Sequence, residues 1–107
     1  MLQRSGLVAA AEARELLRQG AKVFDVRSPQ EFAARHLPGV TNLPLDDLPS
    51  RIAREVPDKN SPLLLHCQSG ARSGSAARLL RQQGYTRVFN LGSLARAEAI
   101  LTTPPKQ

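Results

Sequence analysis

Thiols are scarce in this 107-residue chain, which contains a single cysteine, Cys67. An internal disulfide is excluded, and so is a metal site built from several thiolates. Tryptophan is absent, and aromatics supply only 4% of residues: Phe24, Phe32, Tyr85 and Phe89. The core is therefore expected to be aliphatic. Apolar runs such as Leu63 to Leu65 fall far short of the roughly 20 residues that span a bilayer. No stretch near the N-terminus has the apolar length of a signal peptide. A cytoplasmic setting is expected, where a lone thiol stays reduced. No Gly-Lys phosphate loop occurs, and neither nucleotide, zinc nor any other cofactor is implied. Basic residues exceed acidic ones, with a net charge of +6, but they form no block. Arg14, Arg18, Arg35, Arg51, Arg54, Arg78, Arg81, Arg87 and Arg96 are scattered singly. No aromatic-basic pattern for base stacking accompanies them, so no nucleic-acid partner is expected. A positive field attracts small anions.

The elements that are present alternate in type. Ala9 to Arg18 reads as a helix stopped by Gly20. Lys22 to Arg27 reads as a strand, and Pro29 to Arg35 as a short helix. Ser28 as cap and Glu31 three residues on form its capping box. Val40 to Leu43 is a short strand, and Asp46 is expected to cap a helix through about Glu55. Pro62 to His66 is a continuous apolar strand, as expected when helices cover both faces. Arg72 to Gln83, Arg87 to Leu91 and Leu94 to Leu101 follow as helix, strand and helix. Leu2 to Leu7 reads as an edge strand or an arm. One domain over residues 1–101 is expected, then a mobile tail at 102–107. Helices alternating with short strands at crossover spacing predict an α/β sheet between helical layers.

The chemistry converges on His66-Cys67-Gln68-Ser69-Gly70-Ala71-Arg72-Ser73. Short side chains and a glycine between a buried strand and a helix let successive N–H groups turn inward as an anion nest. The positive end of the helix adds to it. A cysteine at the lip of such a nest is expected to be a stabilised thiolate, the nucleophilic form. Gln68, Ser69, Gly70, Ala71 and Arg72 are the candidate anion-binding loop, with Ser73 as an added donor. Whether the Arg72 side chain faces the loop or braces it is left open. His66 neighbours Cys67 on a strand, points to the opposite face, and is expected to be packed rather than a general base. Asp25 and Arg27, at the exit of the second strand-like segment, form either a structural ion pair or part of a site.

Three ordered motifs carry a family likeness. Asp25-Val26-Arg27-Ser28-Pro29-Gln30-Glu31-Phe32 is similar to the first motif of the rhodanese-like sulfurtransferase domain. His36-Leu37-Pro38-Gly39-Val40-Thr41-Asn42-Leu43-Pro44 is similar to the second. The Cys67 stretch is similar to the active loop, and Ala76-Ala77, Leu80 and Gly84 follow it. The chain resembles this family in its single-domain form from roughly Val8 to Gly92. The resemblance implies a mostly parallel sheet of about five short strands flanked by helices on both faces. It implies a sulfurtransferase with Cys67 as nucleophile and persulfide carrier, Gln68 to Arg72 binding the anionic sulfur, and Asp25, Arg27 and Ser73 in support. Thiosulfate is the expected type of donor, and cyanide or a thiol the acceptor. A sulfur-accepting protein is a further conceivable partner. The expected state is a monomer without membrane contact. Two positions depart from the pattern. Arg35 stands where the family usually has glycine, and Ser93 and Leu94 follow Gly92 where a second glycine and an aromatic are common.

Two alternatives compete. One is a relay or partner-binding module that is not a free-standing enzyme. The other is a cysteine phosphatase, whose loop places five residues between Cys and Arg. Here four residues separate Cys67 from Arg72. The smaller ring suits sulfur better than a phosphoryl group, which needs more donors.

Overall fold

The structure, a computed structural model, describes residues 6–102. Along the chain run α1 (Ala10–Arg18), β1 (Lys22–Asp25), α2 (Pro29–Ala34) and β2 (Thr41–Asn42). A 3-10 turn (Leu45–Asp47), α3 (Leu48–Glu55) and β3 (Leu63–His66) follow, then α4 (Ala71–Gln82), β4 (Val88–Gly92) and α5 (Leu94–Thr102). The strands form one sheet in the order β2-β1-β3-β4, and every pairing is parallel.

β3 shows why a leucine run becomes a central strand. Leu63 and Leu65 pack into one apolar cluster with Ile52 of α3 and Ala76, Ala77 and Leu80 of α4. Leu64 packs into the other, with Leu16 of α1 and Ala97 and Ile100 of α5. Side chains alternate across a strand, so a strand covered on both faces is apolar at every position. Cys67 continues the Leu63–Leu65 side and joins the α3/α4 cluster.

The chain leaves β1 towards β2 on one side and leaves β3 towards β4 on the other. β1 and β3 are therefore the switch point, where open α/β sheets form a crevice beyond the strand ends. Asp25 closes β1 there, and the Cys67 loop follows β3.

Three expectations are corrected. Among the described residues the sheet has four strands, where about five were expected. Leu7 makes only an isolated parallel bridge to Asn90, on the outer side of β4. The rest of that expected strand, Leu2 to Ser5, lies outside the described residues. Asp46 does not cap a helix, because residues 45–47 form a 3-10 turn whose preceding residue is Pro44. That three-residue period puts Leu45 and Leu48 on one side, and both pack into the α3/α4 cluster. Thr102, expected to begin the tail, is the last residue of α5 and donates from Oγ1 to the Glu98 carbonyl at 2.6 Å. Residues 103–107 lie outside the described part. No helix among the described residues is long and apolar enough to cross a membrane.

Candidate active site

Gly70 turns the chain from β3 into α4. Its φ of +102° is in the left-handed region, where a side chain is strained. The turn aims backbone donors at the cysteine. The Gly70 N–H donates to Cys67 Sγ at 3.0 Å, and the Ser73 N–H at 3.4 Å. Ser73 Oγ lies 3.5 Å from the same sulfur. Cys67 is fully buried. Burial alone pushes its thiol up, but the Ser73 hydroxyl and N–H and the Gly70 and Ser69 N–H groups oppose it, and the net result lies below the ordinary thiol value. The thiolate is the form these donors stabilise.

The far side of the loop is tied to the β4–α5 turn. Leu94 N–H donates to the Gln68 carbonyl at 3.2 Å, and Ser69 and Ser93 form an antiparallel bridge. A Cβ on Gly70 would lie 3.3 Å from the Gly92 Cα. Ser93, one of the two residues after Gly92 that depart from the common pattern, accepts the Arg96 N–H on Oγ at 3.0 Å and so caps α5.

Asp25 and Arg27 are both buried and clasp each other. Arg27 donates to the Asp25 carboxylate from Nε at 3.0 Å and from Nη2 at 2.8 Å. The same guanidinium reaches the Arg35 carbonyl at 2.6 Å and Gln68 Oε1 at 3.4 Å. This pair thus braces the start of the Cys67 loop. His66 is fully buried, with Nδ1 3.2 Å from the Cys67 carbonyl and Nε2 3.7 Å from Asp25 Oδ2. Burial, more than any neighbour, moves its pKa below the ordinary histidine value. Burial favours the neutral imidazole, which sits on the face away from the sulfur.

Arg72 lies at the N-terminus of α4, but its side chain is paired with Glu31 at 2.7 and 3.0 Å. The brace is realised. Ala71 and Gln68 are exposed. Of the loop residues named from the sequence, Gly70 and Ser69 direct donors at the sulfur, and Ser73 joins them. A cleft of about 160 Å³ opens beside Arg72, with Ser28, Pro44 and Asp46 in its wall. The larger cavity, about 540 Å³, lies near Lys22 at the opposite end of the strands and is no part of this site.

Two residues escaped the sequence reading. Glu31 was legible only as a helix cap. Asn90 of β4, buried with 6% exposure, bonds to Gly70, Ser73 and Gly92. An amide inside a strand of otherwise apolar neighbours was the available signal, since buried polar groups find partners. Among the described residues no three His, Cys, Asp or Glu side chains are grouped to hold a metal.

A family model described as the rhodanese-like domain matches residues 9–95. The chain belongs to the rhodanese-like family. The match takes in α1 through the start of α5, and with them the whole Cys67 loop. Within the family the chain is 43% identical over 71 residues to thiosulfate sulfurtransferase PspE of Escherichia coli (strain K12), covering 66% of this chain and 68% of that one. An E. coli rhodanese structure with anions is similar at 39% identity and a TM-score of 0.68, covering 71% of this chain and 89% of the other. The human single-domain sulfurtransferase TSTD1 is similar at 32% identity and a TM-score of 0.73, covering 92% and 98%. This rhodanese-like chain keeps its loop cysteine. Its unusual Arg35 pairs with Glu98 of α5 at 2.9 Å, both side chains being exposed.

Proposed function

We propose that this rhodanese-like domain is an enzyme that moves sulfane sulfur from a donor such as thiosulfate to a thiophilic acceptor through a persulfide on Cys67. The observation that carries the reading is the set of donors converging on Sγ from Gly70 and Ser73. They stabilise an anionic sulfur without a neighbouring base. In the first step the Cys67 thiolate attacks the outer sulfur of thiosulfate. The donor's S–S bond breaks, sulfite leaves with its electron pair, and Cys67 carries a terminal anionic sulfur. In the second step cyanide or a thiolate attacks that sulfur, the new S–S bond breaks, and the Cys67 thiolate returns. One negative charge stays on the cysteine throughout, so neither step needs a proton. This suits a His66 that is buried and faces away. A covalent intermediate between two half-reactions gives ping-pong kinetics. The relatives named thiosulfate sulfurtransferase support the same choice of donor.

Phosphate-ester chemistry has less support. It needs a guanidinium free for phosphoryl oxygens, and Arg72 is engaged by Glu31. The test is thiocyanate formation from thiosulfate and cyanide. The wild-type protein is expected to form it, with initial rates giving parallel double-reciprocal lines, and Cys67→Ala is expected to form none. Equal thiocyanate from both proteins would refute the proposal.

A further inference from the structure

Asn90 is a buried amide behind the loop with three hydrogen bonds, and the sulfur chemistry above gives it no part. It is paired in register with Leu65, so its side chain lies on the α4 face of the sheet with Cys67. Two partners fix which way the amide points. Gly92 N–H donates to Oδ1 at 2.8 Å, and Nδ2 donates to the Gly70 carbonyl at 3.2 Å. A flipped amide would face a donor with a donor and an acceptor with an acceptor.

Its partners are the groups that face the sulfur. Gly70 offers its N–H to Sγ and its carbonyl to Asn90. The Gly70 carbonyl also accepts the Gly74 N–H at 3.0 Å as α4 begins, and the Asn90 amide is the hold on it that comes from the sheet. Ser73 has one hydroxyl proton and three acceptors within reach: Asn90 Oδ1 at 2.7 Å, the Gly70 carbonyl at 3.1 Å and Sγ at 3.5 Å. The shortest contact, to Asn90 Oδ1, holds Oγ in place beside the sulfur. When the sulfur becomes anionic, the hydroxyl can rotate to it without Oγ moving. A strand between two helical layers would bury an apolar residue more cheaply.

We infer that Asn90 is a positioning residue for Cys67: its amide holds Gly70 and the Ser73 hydroxyl in the arrangement that stabilises anionic sulfur. The inference rests on the sulfurtransferase reading, but its test does not require sulfur transfer. The test is the rate of iodoacetamide alkylation of Cys67 against pH, with thermal unfolding recorded for the same samples. Asn90→Leu removes all three bonds and keeps the same branched shape. Its alkylation midpoint is expected to rise by about one pH unit, a roughly tenfold lower thiolate fraction below the midpoint. Asn90→Asp keeps acceptors for Gly92 and Ser73 but loses the donor to Gly70 and adds a charge that itself raises the midpoint, so for this variant the outcome that decides is an unchanged midpoint. A folded Asn90→Leu protein with the wild-type midpoint overturns the inference, whatever its melting temperature. If Asn90→Leu does not fold, Asn90→Asp decides by the same criterion. Failure of both to fold makes Asn90 a structural link only, and also overturns it. Absence of thiocyanate from the wild type would instead remove the sulfurtransferase reading and leave the midpoints to judge Asn90.

Discussion

Arg72 and Glu31 form a two-bonded pair across the mouth of the site, at 2.7 and 3.0 Å. Glu31 Oε1 also accepts the Ser28 N–H at 2.9 Å. One carboxylate therefore caps α2 and fixes the first turn of α4, the helix that carries Ser73. Arg72 foremost, then the Ser28 N–H, holds the Glu31 carboxyl down at about 2.

This arrangement predicts different outcomes for its two members. Glu31→Ala loses the cap and the brace, and should lower the melting temperature by roughly 4–8 °C. Arg72→Ala loses only a half-exposed pair, which typically contributes little, and should melt within a few degrees of wild type. Sulfur transfer should fall in both, measured as thiocyanate formation. A Glu31→Ala protein that melts like wild type would contradict the shared role.

Because Glu31 has a depressed folded-state pKa, the pair contributes stability above the unfolded carboxyl value near 4.3 and loses it as pH falls towards about 2. The stability difference between wild type and Glu31→Gln should be constant from pH 5 to 8 and narrow below pH 4. Melting curves across that range check this, and a difference that widens in acid would count against it.

Gly70 and Gly92 approach too closely for a side chain on the first. Gly70→Ala combines left-handed strain of about 1–2 kcal/mol with a contact against backbone that cannot swing aside. The variant should lose stability and, because the Gly70 N–H is displaced from Sγ, at least tenfold in transfer rate. Chemical denaturation and steady-state assay together test it, and full activity in a folded Gly70→Ala protein would show that the turn is dispensable.

His66 gives a pH dependence of opposite origin to the thiolate. Burial lowers its folded-state pKa, so the unfolded chain binds a proton first as pH falls. Stability should therefore be greatest above the unfolded value near 6.5 and decline as pH drops below it. Asp25 and Arg27 face the ring, so the comparison must keep both. His66→Gln should flatten the melting temperature between pH 7.5 and 5. An unchanged slope would mean that another group titrates.

Much of this was legible before any coordinates. Short strands between helices, the Ser28–Glu31 capping box and the lone cysteine before a glycine loop are local signals, and local signals survive into the fold. The α2 box is present with both bonds. What the sequence hid depends on distance along the chain. Nothing near Glu31 announces Arg72, 41 positions away. Asn90 meets Gly70, 20 positions earlier in the chain, and although Gly92 marks the register shift of β4 against β3, nothing near Asn90 names the loop it bonds to. The 3-10 turn at Leu45 replaced the expected cap at Asp46 because Leu45 and Leu48 both needed the core.

Ser73 holds the sulfur with its hydroxyl and its N–H, and only the first is removed by Ser73→Ala. The thiolate should form only at higher pH than in the wild type, with alkylation at pH 7 falling several-fold rather than vanishing. A rate equal to wild type would leave the backbone donors as the whole of the stabilisation.

The most direct measurement is the intact mass of the protein after thiosulfate, before any acceptor is added. With one cysteine in the chain, a gain of about 32 Da, one sulfur atom as a persulfide, can be assigned without ambiguity. The wild type is predicted to gain it and to return to its starting mass on addition of cyanide. No gain in the wild type, or the same gain in Cys67→Ala, would contradict the persulfide.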